Sequence, residues 1–177
     1  MKLNFQRQAG ATLIEIIMVV ALIAIITIGA LVYYNTAQDG SRVQESVGNI
    51  TALSAVIRNQ FSTQGDYNGI SETVVMKFGG VPESMLVRTG TTPKNLKHPW
   101  NNGTGAVTVS PATTTATDDS FEITLVKIPA KLCNDLVSKT YRHFLKTEVG
   151  STAVSSVATI AGACGTSGDV NVSFTAR

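Results

Sequence analysis

Apolar and polar positions divide this chain into unlike parts. From Ile16 to Tyr34 there are 19 residues without a charge, and a span of about 20 apolar residues is what crosses a hydrocarbon core of about 30 Å. No proline interrupts the chain from Ala11 to Phe61, so one long helix is predicted over that range. Its first half is apolar all round. Its second half is amphipathic: Val43, Val47, Ile50, Ser54, Ile57 and Phe61 follow a 4-3-4-3-4 spacing, with Arg42, Gln44, Glu45, Asn49 and Arg58 off that stripe. At a rise of about 1.5 Å per residue the helix reaches roughly 75 Å, more than a bilayer needs, so it is expected to leave the membrane and continue into a soluble domain. Tyr33 and Tyr34 suit the membrane interface. Gly29, Gly40 and Gly48 are weak points, and Gly40 after Asp39 marks a bend or a local melt.

After Gly65 the pattern changes to short elements. Ser71 to Phe78 reads as a short helix stopped by Gly79-Gly80, and Val81 to Leu86 as a further turn. Thr89 to Gly105, with Pro93 and Pro99, reads as loop. Ala106 to Ser110 and Ser120 to Lys127 alternate as antiparallel strands, joined by an exposed polar loop from Pro111 to Asp119. Pro129 to Leu145 predicts a helix with Leu132, Cys133, Leu136, Val137, Thr140, Tyr141 and Phe144 on one face. The small and β-branched residues of Val149 to Ala163 fit strand or loop better than helix, and Asp169 to Thr175 makes a final strand. The expected fold class is α+β, a long N-terminal helix packed on a small antiparallel-sheet head. The expected divisions are 1–10, 11–34, 35–62 and 63–177.

Charge orients the chain. Lys2 and Arg7 precede the apolar run and hold that end in the cytoplasm. A secretory signal would have a shorter apolar core and a cleavage site behind it. Here Ile28-Gly29-Ala30 runs on into Leu-Val-Tyr-Tyr, and the better junction is Gly10-Ala11, before the run. The two cysteines, Cys133 and Cys164, then lie on the oxidising side of the membrane, which favours pairing them. Such a bond would stabilise by roughly 3–4 kcal/mol in the chain-entropy model. Net charge is +2, which provides no basic footprint for nucleic acid.

Gly10-Ala11-Thr-Leu-Ile-Glu15 followed by an uninterrupted apolar helix resembles the cleavage and assembly segment of type IV prepilins. The close match covers about the first 35 residues of the sequence and includes an acid as the fifth residue after the cut, a specific constellation. The late cysteine pair and a long helix feeding an α+β head are similar to the same proteins. The chain departs from the type IVa pattern: Ala11 stands where Phe is usual, and Val32 lies near the position of a helix-kinking proline. With "HPW" (His98 to Trp100), "IPAKLC" (Ile128 to Cys133) and the late Cys164, the head is similar to the pilins of bundle-forming and conjugative thin pili, a type IVb character.

The resemblance implies a structural protein with no enzymatic activity and no cofactor. It implies a prepilin peptidase that cuts between Gly10 and Ala11 and N-methylates Ala11. It also implies an inner-membrane assembly platform and polymerisation with identical subunits into a helical filament. The precursor would reside in the bacterial inner membrane, and the filament outside the cell, for adhesion, aggregation or conjugative contact.

Glu15 fits that scheme physically. An acid in a membrane span costs about 2.5–3.5 kcal/mol at the centre, and less near the interface. Cutting after Gly10 would create a cationic amine on Ala11, and the amine of one subunit can meet Glu15 of its neighbour where the dielectric is low. Glycine before the cut lets an extended backbone approach a peptidase closely. Losing Lys2 and Arg7 would leave 12 bases against 12 acids, a neutral subunit suited to dense packing.

Other chemistry finds little support. His98 and His143 read as packing or surface residues, and two His and two Cys lack zinc spacing. Asp118-Asp119 has no calcium-ligand pattern around it. Trp100 reads as a core or loop anchor, and the Asn-x-Ser/Thr triplets at Asn49, Asn102 and Asn171 as chance matches. Two rival readings stand beside the pilin. A pseudopilin of a type II secretion system is disfavoured by the cysteine pair, which major pseudopilins often lack. A periplasmic domain on an uncleaved signal anchor would keep Met1 and stay monomeric.

Overall fold

The structure, a computed structural model, describes residues 12–177. The first element, α1, is the long helix Leu13–Phe61. It ends at the predicted residue; the predicted start at Ala11 lies outside the described residues. The chain divides into two compact units between Gly40 and Ser41.

In the first unit every large apolar side chain from Leu13 to Tyr34 is exposed. This part of α1 is long and apolar enough to cross a membrane. Two hydroxyls of this unit close onto their own helix. The Thr27 hydroxyl donates to the Ile23 carbonyl at 2.7 Å, and Thr36 to Val32 at 3.1 Å, so neither needs water.

The second unit begins with the amphipathic part of α1. Its buried residues are Val43, Ser46, Ile50, Leu53, Ser54, Ile57 and Phe61. The stripe is therefore rotated slightly from the predicted one: Val47 is half-buried, while Ser46 and Leu53 face inward. Opposite lies a five-stranded antiparallel sheet of β3 (Val107–Ala112), β4 (Ser120–Pro129), β7 (Asp169–Ala176), β5 (Lys146–Val149) and β6 (Thr152–Ala153), in the order β3-β4-β7-β5-β6. The C-terminal strand β7 pairs with both β4 and β5. Alternation drives Val107 and Val109 of β3, and Phe121, Ile123 and Leu125 of β4, into one core with the helix stripe. A bulge between Leu125 and Ile128 then shifts the inward parity, so that Ile128 is buried too. Lys127 within it has φ 66° and donates its N–H to Asn171 Oδ1 at 3.1 Å.

Three elements differ from expectation. Thr89 to Gly105 is not all loop: β1 (Leu86–Thr89) and β2 (Thr92–Leu96) form a separate hairpin. Pro93 is tolerated because a two-stranded ribbon leaves each strand one unpaired edge, and Gly90 takes the left-handed turn at φ 61°. The helix after Pro129, α3 (Ala130–Thr140), stops short of Leu145, because the Leu145 N–H bonds the Thr175 carbonyl of β7 at 2.9 Å and draws the chain into the sheet. Val149 to Ala163 contains a helix, α4 (Val157–Cys164), set by a capping box between Ser156 and Thr159. Smaller departures are that α2 (Glu72–Val75), capped by the Ser71 side chain, ends before the predicted Phe78, that β3 runs on through Pro111 and Ala112, and that α1 continues as helix through Gly40 without a local melt; a 3-10 turn covers Glu83–Met85 as expected.

Cys133 on α3 and Cys164 at the end of α4 are bonded, with Cα atoms 5.7 Å apart. Removing both thiols, as Cys133→Ser with Cys164→Ser, is expected to lower stability by roughly 3–4 kcal/mol. The denaturant midpoint of the detergent-solubilised chain reads this, and an unchanged midpoint would show that packing between α3 and α4 suffices.

Candidate functional site

Two surfaces of the chain stand out, one in each unit. The first is the apolar stretch of α1. Glu15 sits in its first turn, where its N–H bonds the Thr12 carbonyl at 3.0 Å. An acid there also suits the positive end of the helix. Around it Leu13, Ile14, Ile16 and Ile17 are exposed, Leu13 by 79%. Single exposed apolar residues are ordinary, but a continuous cylinder of them is the mark of a membrane or a protein partner. Gly10 and Ala11 lie outside the described residues.

The second surface is a recess of about 340 Å³ in the head. Its floor is the loop His98 to Gly103, which is clamped onto β4. His98 and Asn101 exchange backbone hydrogen bonds of 3.0 Å. The His98 ring Nε2 lies 2.9 Å from the Val126 carbonyl, and the Asn101 side-chain amide donates to the same oxygen at 3.0 Å. Because a carbonyl only accepts, Nε2 carries the hydrogen, leaving Nδ1 to face the Trp100 N–H at 3.4 Å. Asn101 Oδ1 accepts from the Gly103 N–H at 3.0 Å, and the Asn95 amide donates to the Gly103 carbonyl at 3.0 Å. Glu45 and Lys97 line the same recess. His98 is thus a buried packing residue and Trp100 a half-buried loop anchor. The recess itself was not foreseen. Its one sequence signal is the crowding of amide and aromatic residues in "HPWNNG".

The Thr-rich loop before β4 is ordered by one carboxylate. Asp119 accepts from the Thr114 N–H at 2.8 Å, the Thr114 hydroxyl at 2.9 Å and the Thr115 N–H at 3.0 Å. The Thr114 N–H above all holds its carboxyl well below the usual carboxylate range, against the effect of burial. These oxygens are engaged by their own loop. Among the described residues no group of three or more His, Cys, Asp or Glu is placed to hold a metal. The Cys133–Cys164 bond lies in neither surface and ties α3 to α4.

Burial pushes the His98 imidazole below its ordinary value, partly offset by its hydrogen bond to Val126. The unfolded chain therefore binds a proton there more readily than the folded one. The stability contribution is complete above the ordinary value of about 6.5 and is lost as pH falls below it toward the lower folded value. Thermal unfolding of the detergent-solubilised chain between pH 7 and 5 is expected to show this loss. His98→Gln should be less stable at pH 7 yet flatter with pH; an equal slope in both proteins would assign the pH dependence elsewhere.

Residues 40–177 match the family described as PilS N terminal. The major structural subunits of bundle-forming pilus from Escherichia coli O127:H6 and O111:H- are each 26% identical over 136 residues, covering 77% of this chain and 67% of theirs. The crystal structure of TcpA, a type IV pilin from Vibrio cholerae El Tor biotype, has a TM-score of 0.60 at 12% identity, over 77% of this chain and 99% of that one. A type IV b pilin from Salmonella typhi gives 0.52 at 14% identity, over 73% and 98%. The chain belongs to the PilS N-terminal family, and its fold is that of a type IV pilin.

Proposed function

We propose that this chain is the major structural subunit of a type IV pilus of type IVb character. The observation that carries this reading is the stretch from Leu13 to Tyr34, apolar and exposed on every side in a member of a pilin family. Such a helix suits lipid before assembly. In a filament it would be buried among identical helices, and a head-to-tail contact repeated without closure gives open growth. The relatives named as major subunits of bundle-forming pilus favour a structural rather than a catalytic role.

In this scheme the precursor sits in the inner membrane, and a prepilin peptidase cuts between Gly10 and Ala11 and methylates the new amine. An assembly platform then adds the subunit to a filament outside the cell. Glu15 lies in the first turn of α1, four residues after Ala11 in the sequence. Methylation keeps the positive charge, so the amine of an incoming subunit can still pair with Glu15 of its neighbour. The pair would form in an apolar bundle, where attraction is strong and an unpaired carboxylate is costly. The pairing sets register more than it adds affinity.

Intact mass and N-terminal sequencing of the chain from a sheared extracellular fraction test the processing. A start at Ala11, one added methyl and a closed disulfide are expected; a chain confined to membranes and beginning at Met1 would overturn it. Assembly is tested by Glu15→Leu, for which surface filaments are expected to disappear while the processed subunit still accumulates in the membrane. Normal filament yield from that variant would remove Glu15 from the assembly mechanism.

A further inference from the structure

An asparagine side chain is open to attack by its own backbone when glycine follows it. The peptide nitrogen of the next residue can close on the side-chain carbonyl carbon, and glycine puts no side chain in the way. The chain has two such steps, Asn68-Gly69 and Asn102-Gly103, and their surroundings differ. At Asn102-Gly103 the nucleophile is occupied. The Gly103 N–H donates to Asn101 Oδ1 at 3.0 Å, and the carbonyls of Asn102 and Gly103 accept from the Asn95 amide at 3.3 and 3.0 Å. At Asn68-Gly69 it is free. Both residues are exposed, in a turn closed by the Ile70 N–H on the Tyr67 carbonyl at 3.2 Å. The Gly69 N–H has no hydrogen-bond partner among the described residues, and no atom lies within 4 Å of where a Cβ would stand.

The Asn68 side chain also ties two segments together. Its amide nitrogen donates to Asp118 Oδ2 at 3.1 Å, and the Tyr67 N–H beside it donates to the Asp118 carbonyl at 2.8 Å. Asp118 stands at φ 54°, in the left-handed region. That conformation is costly for a residue other than glycine, and such ties hold it in place. The Thr-rich loop is thus fastened to the turn that follows α1.

We infer that Asn68 is a site of self-modification, at which the Gly69 peptide nitrogen displaces the side-chain amide and unfastens the Thr-rich loop. The Gly69 N–H gives its proton to hydroxide, and the nitrogen bonds to Asn68 Cγ. The Cγ–Nδ2 bond then breaks, and the nitrogen takes a proton from water and leaves as ammonia. A water molecule opens the cyclic imide at either of its carbonyls, which leaves aspartate or isoaspartate at position 68. One water is consumed and one ammonia released, with no oxidant or cofactor. The product sets a carboxylate against the Asp118 carboxylate, so a hydrogen bond becomes a like-charge repulsion. The chemistry belongs to the single subunit and does not depend on the pilus reading.

The full detergent-solubilised chain, incubated in mildly alkaline heavy-oxygen water, tests the site. Peptide mapping by mass spectrometry follows both Asn-Gly steps, and enzymatic methylation of isoaspartate serves as a second readout. In the folded chain Asn68 is expected to convert about tenfold faster than Asn102, the worth of the hydrogen bond that holds the Gly103 N–H. In denaturant the two rates should converge. Equal rates in the folded chain, faster conversion at Asn102, or no conversion at Asn68 while the denatured chain converts would overturn the assignment. Asp118→Gly fits φ 54° without strain and removes the acceptor that holds the leaving amide, so conversion at Asn68 should rise about threefold. Asn68→Asp carries the product charge from the start. Hydrogen exchange at the Thr114, Thr115 and Asp118 amides is expected to rise in that variant while exchange in β4 stays unchanged. An unchanged rate in Asp118→Gly, or unchanged loop exchange in Asn68→Asp, would overturn the unfastening.

Discussion

The head is organised by the burial of one helical stripe. Val43, Ile50, Leu53, Ile57 and Phe61 form one apolar core with the inward residues of the sheet and of α3. Phe61 stacks near Tyr67 at 5.6 Å, and Tyr67 near Phe121 of β4 at 4.8 Å, so rings link the end of the helix to a central strand. A sheet of this kind is apolar on one face and must cover it. Here the amphipathic half of α1 and α3 supply apolar cover. The other devices act within that frame: β7 inserted between β4 and β5, the bulge at Lys127, and the disulfide between α3 and α4.

The same helix carries a second surface that obeys a different rule. Before Tyr34 no inner face can be told from an outer one, because all sides are apolar and exposed. Amphipathicity tells a helix which side to bury, and its absence means that the surroundings must be apolar on every side. On the proposed reading those surroundings are lipid first and sister helices later. Thr27 in this stretch closes its hydroxyl onto its own helix, which suits either environment. Glu15 is the one group there that cannot satisfy itself cheaply, which is why its pairing carries the assembly proposal.

The His98 loop shows how a polar site is fixed onto this core. A single carbonyl, Val126, receives both the His98 ring and the Asn101 amide. The neutral imidazole demanded by burial is also the form with the acceptor facing Trp100. Loop geometry, protonation state and recess are therefore one coupled arrangement.

Much of this was legible in the residues. Periodicity identified α1 to its last residue, the β3–β4 pair, α3 and β7, because each buries one face at a regular spacing and the spacing is written in the chain. The Gly10–Glu15 constellation identified the family, and the two cysteines their own pairing. The elements that escaped are those whose backbone is held from outside. β1 and β2 carry Pro93 and depend on each other, α3 ends where β7 captures the Leu145 N–H, and α4 is held by its cap and by Cys164. The recess escaped for the same reason. Its walls come from α1, the Glu83–Met85 turn and the His98 loop, segments whose proximity no local pattern encodes. The sequence alone determined which surfaces must be buried. Only the tertiary structure decided which distant polar groups meet, because hydrogen bonds across a fold depend on where burial has carried their donors and acceptors.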